Sequence, residues 1–191
     1  EWADWMLDAC QGKRLVIIDT LRMAHLEDEN NSGAMAHLMA VMQGAAMQTG
    51  AAVLFLHHAS KGAVLSGQGA SQQAARGSSV LTDNARGQFF LANMSEDEAR
   101  GDGSGRLFDL TAPGPLNRIA LDQADHDGRM MRSRYVRFGV AKTNYAAPWP
   151  DLWLRRNDQG VLAYADIRTN PTAATGAQRT PPKGNVSARL I

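Results

Sequence analysis

Apolar residues at Trp2, Trp5, Met6 and Ala9 fall on one face of a helix, and Gly12 ends that run. Leu15 to Ile18 is then apolar without interruption, between a basic pair and the carboxylate of Asp19. Unbroken rather than alternating apolarity predicts a strand covered on both faces, as in a parallel sheet. Residues 25–33 form a polar loop, and from 34 to 48 helical spacing returns at Met35, Leu38, Met39, Met42 and Ala46. Gly50 stops that helix. Residues 52–56 make a second apolar run that ends at His57 and His58. Strand, helix and strand within about forty residues is the length of a parallel crossover unit.

Beyond this unit the pattern is more broken. A loop rich in Gly, Ser, Gln and Ala runs from Ser60 to about residue 75, followed by a helix at 78–84 and a strand at 88–92. Residues 95–115 are rich in Gly, Asp and Glu and predict an exposed connection. Residues 116–121 and 130–141 predict a hairpin across the turn at 125–128. A second polar turn, 157–160, separates Trp153-Leu154 from Val161-Leu162, and after Ile167 the composition predicts a mobile tail. No internal repeat is visible. The fold class expected is α/β, with residues 1–167 as a single core and 168–191 as the tail.

Composition narrows the class without naming a function. The chain has 191 residues, with Lys and Arg at 20 against Asp and Glu at 19 and a net charge of +1, so it is neither histone-like nor an acidic tail protein. No apolar run is long enough to span a bilayer, and the start lacks the pattern of a signal peptide. A single cysteine, Cys10, excludes an internal disulfide and a cysteine-based zinc site, and it fits a reducing cytoplasm. Charge is uneven: Arg129, Arg132, Arg134, Arg137, Lys142, Arg155, Arg156 and Arg168 stand against Asp151, Asp158 and Asp166.

Candidate chemistry gathers at the strand ends. Asp19 follows the first apolar strand, and ligands of open α/β sheets bind at that edge. Four apolar residues ending in Asp-Thr match a Walker B strand, whose carboxylate holds Mg²⁺ or its water beside a nucleotide; such an aspartate can also simply cap a turn. His57 and His58 occupy the matching end of the next strand. One imidazole there can contact a γ-phosphate; alternatively His57 packs and His58 meets solvent. Between His58 and Asp83 there is no acidic residue, while Lys61 and Arg76 are basic. An uncharged-to-basic loop suits a polyanion backbone, and it equally suits an ordinary surface loop.

Taken together, LVIIDTLR, FLHHASKG, ARGSSVLTDNAR and VRFGVAKTNY resemble the plasmid-encoded RepA-type replicative helicases, within the RecA-like hexameric helicase superfamily that includes DnaB. The resemblance runs from Glu1 to Leu162. It implies a RecA-like core with a mostly parallel central sheet flanked by helices, followed by C-terminal β-hairpins. It also implies ATP and Mg²⁺ as cofactors, hydrolysis at the subunit interfaces of a hexameric ring, and translocation on single-stranded DNA. By position, Asp19 resembles the Walker B carboxylate and metal ligand, and His58 the sensor of the γ-phosphate. Residues 60–76, with Lys61 and Arg76, resemble a DNA-binding loop. Arg86 resembles an arginine finger reaching a neighbour's site, and Lys142 the basic finger strand.

The sequence departs from that pattern in two places. Where DnaB-like proteins often carry a second basic residue, Asn144 stands here, which favours Arg86 as the trans-acting group. No Gly-Lys-Ser/Thr phosphate loop occurs in the chain. The family places that loop and a catalytic glutamate upstream of Walker B, so the chain is expected to be the C-terminal part of a core and not to bind ATP tightly alone. The alternatives are another RecA-like ATPase, of recombinase or clock type, and a non-catalytic DNA-binding or oligomerisation module.

Overall fold

A computed structural model of the protein describes residues 2–58 and 79–169. They fall into two compact units, one of residues 2–58, 79–92 and 137–152, the other of 93–136 and 153–169. Among the described residues no helix is long and apolar enough to cross a membrane.

The first unit opens with the predicted crossover. Helix α1 (Trp2–Cys10) leads to strand β1 (Leu15–Ile18), a single turn α2 (Leu21–Ala24), the long helix α3 (Ser32–Thr49) and strand β2 (Ala52–Phe55). The Asn31 side chain accepts from the Gly33 and Ala34 N–H groups, satisfying donors that the first turn of α3 leaves open. At its other end Gly50 adopts φ +74°, a left-handed cap that a side chain would strain. Strands β1 and β2 pair in parallel, Leu15 opposite Ala52 and Ile18 opposite Phe55. Their inward residues Val16, Ile18, Val53 and Phe55 join Met6, Cys10, Met35, Leu38, Met39 and Met42 in one core.

The outward face is not covered as the unbroken apolarity predicts. Leu15, Ile17, Leu54 and Leu56 are 52%, 58%, 42% and 40% exposed. Pleating sends alternate residues to opposite faces, and the described helices α1 and α3 pack on one of them only.

The same unit continues with helix α4 (Val80–Asn84), strand β3 (Gly87–Asn93) and strand β5 (Tyr135–Thr143). β3 and β5 are neighbours. Backbone bonds from Asn144 N–H to the Arg86 carbonyl and from Met94 N–H to the Tyr135 carbonyl, at opposite ends, make them antiparallel. Phe89, Phe138 and Trp149 stack, with ring centroids 5.7–6.5 Å apart. Gly139 is required for close approach, since a Cβ there would meet the Phe90 ring at 2.5 Å and Asp151 Oδ1 at 2.2 Å.

The second unit holds helix α5 (Glu96–Arg100), with a capping box between Ser95 and Glu98, and the short strand β4 (Phe108–Asp109). Strands β6 (Leu152–Arg156), β7 (Leu162–Tyr164) and β8 (Ile167–Arg168) follow β5. β6 and β7 form the hairpin expected across 157–160, and β4 pairs antiparallel with β8. Met94, Ala99, Leu121, Met131, Tyr135 and Ala165 make its core.

The hairpin predicted for 116–121 with 130–141 does not form. Residues Gly114–Arg118 and Met131–Arg134 are 3₁₀ turns, and only the bridge Ala124–Met130 survives beside the turn at 125–128. Pro115 lacks an N–H and fixes a turn-like φ, which removes the first of these segments from any ladder. The described chain is therefore α/β, with the parallel pair β1–β2 beside the antiparallel pairs β3–β5, β4–β8 and β6–β7. It does not display the mostly parallel sheet expected from the resemblance, since those three later pairs all run antiparallel.

Candidate functional site at the β1–β2 edge

Parallel pairing brings the two C-terminal strand ends to the same edge. The ladder runs one step past the strands, from Leu56 N–H to the Ile18 carbonyl at 2.9 Å and from Leu21 N–H to the Leu56 carbonyl at 2.8 Å. Those bonds set the Asp19–Thr20 turn level with Leu56, one residue before the histidine pair. Asp19 and His58 are exposed and His57 is half-buried. The structure thus brings Asp19 and the two histidines to one strand edge, as the sequence implies.

Close by in the chain, His25 follows α2 as a buried residue, and neither ring nitrogen has a hydrogen-bond partner among the described residues. Nothing in the pattern of the sequence marks it.

Arg86 stands between α4 and β3, exposed, its guanidinium without an ion pair or hydrogen bond among the described residues. Lys142 lies in β5 and is half-buried. Its ammonium donates to the carbonyls of Thr82 at 2.9 Å and Asp83 at 2.6 Å, at the C-terminal end of α4. Lys61, Arg76 and the rest of the 60–76 loop lie outside the described residues, as does the chain from residue 170 on.

Other polar groupings belong to the second unit, and sequence reading missed them. Asp109 is fully buried and accepts from the Thr111 N–H and hydroxyl, the Tyr135 hydroxyl at 3.1 Å and the Arg155 guanidinium. Burial first, and then the Asp109 charge, hold the Tyr135 phenol well above its ordinary pKa. Asp125 accepts from Arg134 at 2.8 Å and from the N–H groups of Asp127 and Arg129, and the Arg134 bond leads in lowering its pKa. An open cleft of about 550 Å³ beside Pro115, His126 and Arg134 is lined by none of Asp19, His57, His58, Arg86 and Lys142.

The exposed Asp19 carboxylate at the β1–β2 edge is of the kind that suits a nucleotide's metal. Among the described residues no three His, Cys, Asp or Glu side chains meet to hold an ion. Mg²⁺ needs few protein ligands, because it keeps waters and binds phosphate oxygens, and a lone exposed carboxylate such as Asp19 suits it.

Residues 1–64, about a third of the chain, match the family model of an AAA domain. The matched stretch contains α1, β1, α3 and β2, and with them Asp19 and both histidines. The match indicates an ATPase family of the P-loop, RecA-like kind, which binds nucleotide and typically uses Mg²⁺.

Proposed function

We propose that the chain belongs to the core of a ring-forming, ATP-driven DNA helicase that moves on single-stranded DNA. The observation that carries this reading is the parallel β1–β2 pair, which delivers Asp19 and His57-His58 to one edge within the stretch similar to an AAA domain. The order of motifs after that stretch, with Arg86 and then Lys142, supports the helicase class over other ATPases of this kind.

In this reading Asp19 would hold Mg²⁺, which would neutralise charge on the ATP phosphates. His58 contacts the γ-phosphate and passes its loss to the segment that follows. Lys61 and Arg76 track the DNA backbone. Arg86 completes the site of a neighbouring subunit in the ring, where an arginine stabilises charge developing on the transferred phosphoryl group.

Steady-state hydrolysis by the full-length assembled protein, with and without single-stranded DNA, tests the reading. Asp19→Asn abolishes most Mg²⁺-dependent ATPase activity. His58→Ala keeps nucleotide binding and loses stimulation by DNA. Normal stimulated rates in both variants would overturn the assignment. Lys61→Ala with Arg76→Ala weakens DNA binding and flattens its salt dependence, read by fluorescence anisotropy across a salt series.

A further inference from the structure

Helix α4 is only five residues long, yet each backbone carbonyl from Ser79 to Asn84 has a donor. Ser79 accepts from Asp83 N–H and the Thr82 hydroxyl, Val80 from the Asn84 side-chain amide, and Leu81 from Ala85 N–H. Asn84 accepts from Gln43 Nε2 on α3 at 3.0 Å. The two that remain, Thr82 and Asp83, are both taken by Lys142 Nζ. A helix this short cannot satisfy its own last turn, and a cation is favoured at the negative end of its dipole. Two residues on, just past the end of β5, the Asn144 N–H donates to the Arg86 carbonyl at 3.1 Å. Lys142 and Asn144 therefore grip the chain on either side of Ala85, where it turns from α4 into β3. Arg86, at that turn, is exposed and its guanidinium is unpaired among the described residues.

We infer that Lys142 is a positioning residue for Arg86, holding the α4–β3 turn so that the guanidinium points outward, and does not itself carry charge to a phosphate. Withdrawing the ammonium to reach a phosphate would strip two carbonyls of their donor, a cost the exposed Arg86 does not face. This inference rests on the trans role proposed for Arg86, and its test separates the two.

The test uses the full-length assembled protein with Lys142→Met, Lys142→Arg, Arg86→Ala and the double variant Lys142→Met/Arg86→Ala. Amide hydrogen exchange over residues 83–87 reads the grip directly. It speeds up in Lys142→Met, returns close to the parent in Lys142→Arg, whose fork can still reach both carbonyls, and is unchanged in Arg86→Ala. Hydrolysis reads the consequence. Lys142→Met lowers kcat by about 10- to 100-fold, as misplacement of a catalytic group does, with little change in KM for ATP. In the Arg86→Ala background the same change has no further effect, because there is nothing left to position.

Unchanged exchange in Lys142→Met overturns the inference whatever the rates show. Losses that multiply in the double variant overturn it too, since Lys142 would then act on its own. Normal hydrolysis by Arg86→Ala, with exchange still raised in Lys142→Met, removes the trans reading of Arg86 and with it the catalytic purpose of the grip. Should Lys142→Met fail to fold cooperatively, Lys142→Gln, which keeps donors without the charge, carries the same comparison.

Discussion

Asp109 and Asp125 show what single carboxylates contribute in the second unit. Asp109 is fully buried and neutralises Arg155, so Asp109→Ala strands a guanidinium and costs about 3–5 kcal/mol. Tyr135→Phe removes one hydroxyl from the same cluster and costs about 1 kcal/mol. Urea unfolding of the two variants checks the order. Asp125 contributes to the acid limb of stability. Its pKa is lowered in the folded state by Arg134, so its contribution is complete above the ordinary carboxylate value and disappears as pH falls through the lowered one. Asp125→Asn is therefore less stable at neutral pH, and the gap to the parent closes below about pH 4. Unfolding midpoints measured from pH 7 to 2 decide this. A gap independent of pH would mean that the Arg134 pair is not the cause. The Asp109 cluster was not legible beforehand, because Asp109 and Arg155 are 46 positions apart and nothing local marks them as partners.

Elements were legible where local chemistry agreed with packing. α3 has an Asn at its N-cap, Met and Leu at core spacing and a glycine at its C-cap, and it forms close to its predicted span. Asn31→Ala costs about 1 kcal/mol through the lost cap, and Gly50→Ala about as much through the left-handed φ. Thermal melts of the single variants show these as additive, since the two ends are a full helix apart. Gly139→Ala is a sharper case. Its methyl group collides with Phe90 and Asp151, displacing the ring on which Arg137 sits, and the overpacking costs about 1–3 kcal/mol. The glycine is obvious in the sequence, whereas the close approach that demands it is not. The failed hairpin at 116–141 has a similar origin. Its turn at 125–128 was read from Asp and Gly, but the flanking segments follow Pro115 and the core around Leu121 and Met131 instead of pairing.

At the scale of the whole molecule, the face of β1–β2 that no described helix covers dominates expectation. Leu15, Ile17, Leu54 and Leu56 make one exposed aliphatic patch, and parallel strands are ordinarily covered on both sides. The 191-residue chain prepared by itself is expected to self-associate and to bind a hydrophobic dye. Ile17→Lys with Leu54→Lys reduces both, read by light scattering and dye fluorescence, while leaving the helical circular dichroism unchanged. If association is undiminished, the patch is not its cause. The ring itself is tested by mixing subunits. Arg86→Ala and Asp19→Asn, each strongly impaired alone, regain partial ATPase activity in mixed rings wherever an intact Arg86 faces an intact Asp19. No recovery in confirmed mixed rings makes Arg86 a structural arginine.

Spacing and breakers alone determined α1, β1, α3 and β2, their parallel pairing, and the arrival of Asp19 and the histidines at one edge. Each of these depends on periodicity within a few residues, or on the fact that a crossover returns the chain in the same direction. Tertiary structure alone decided which face of β1–β2 is covered, that Asp109 meets Arg155, and that Lys142 spends its charge on the end of α4 while Arg86 keeps its own free. Those outcomes join residues tens of positions apart. A basic residue reads the same in sequence whether it meets a carbonyl of its own chain or a neighbour's phosphate, and only the packing of β5 against α4 distinguishes Lys142 from Arg86.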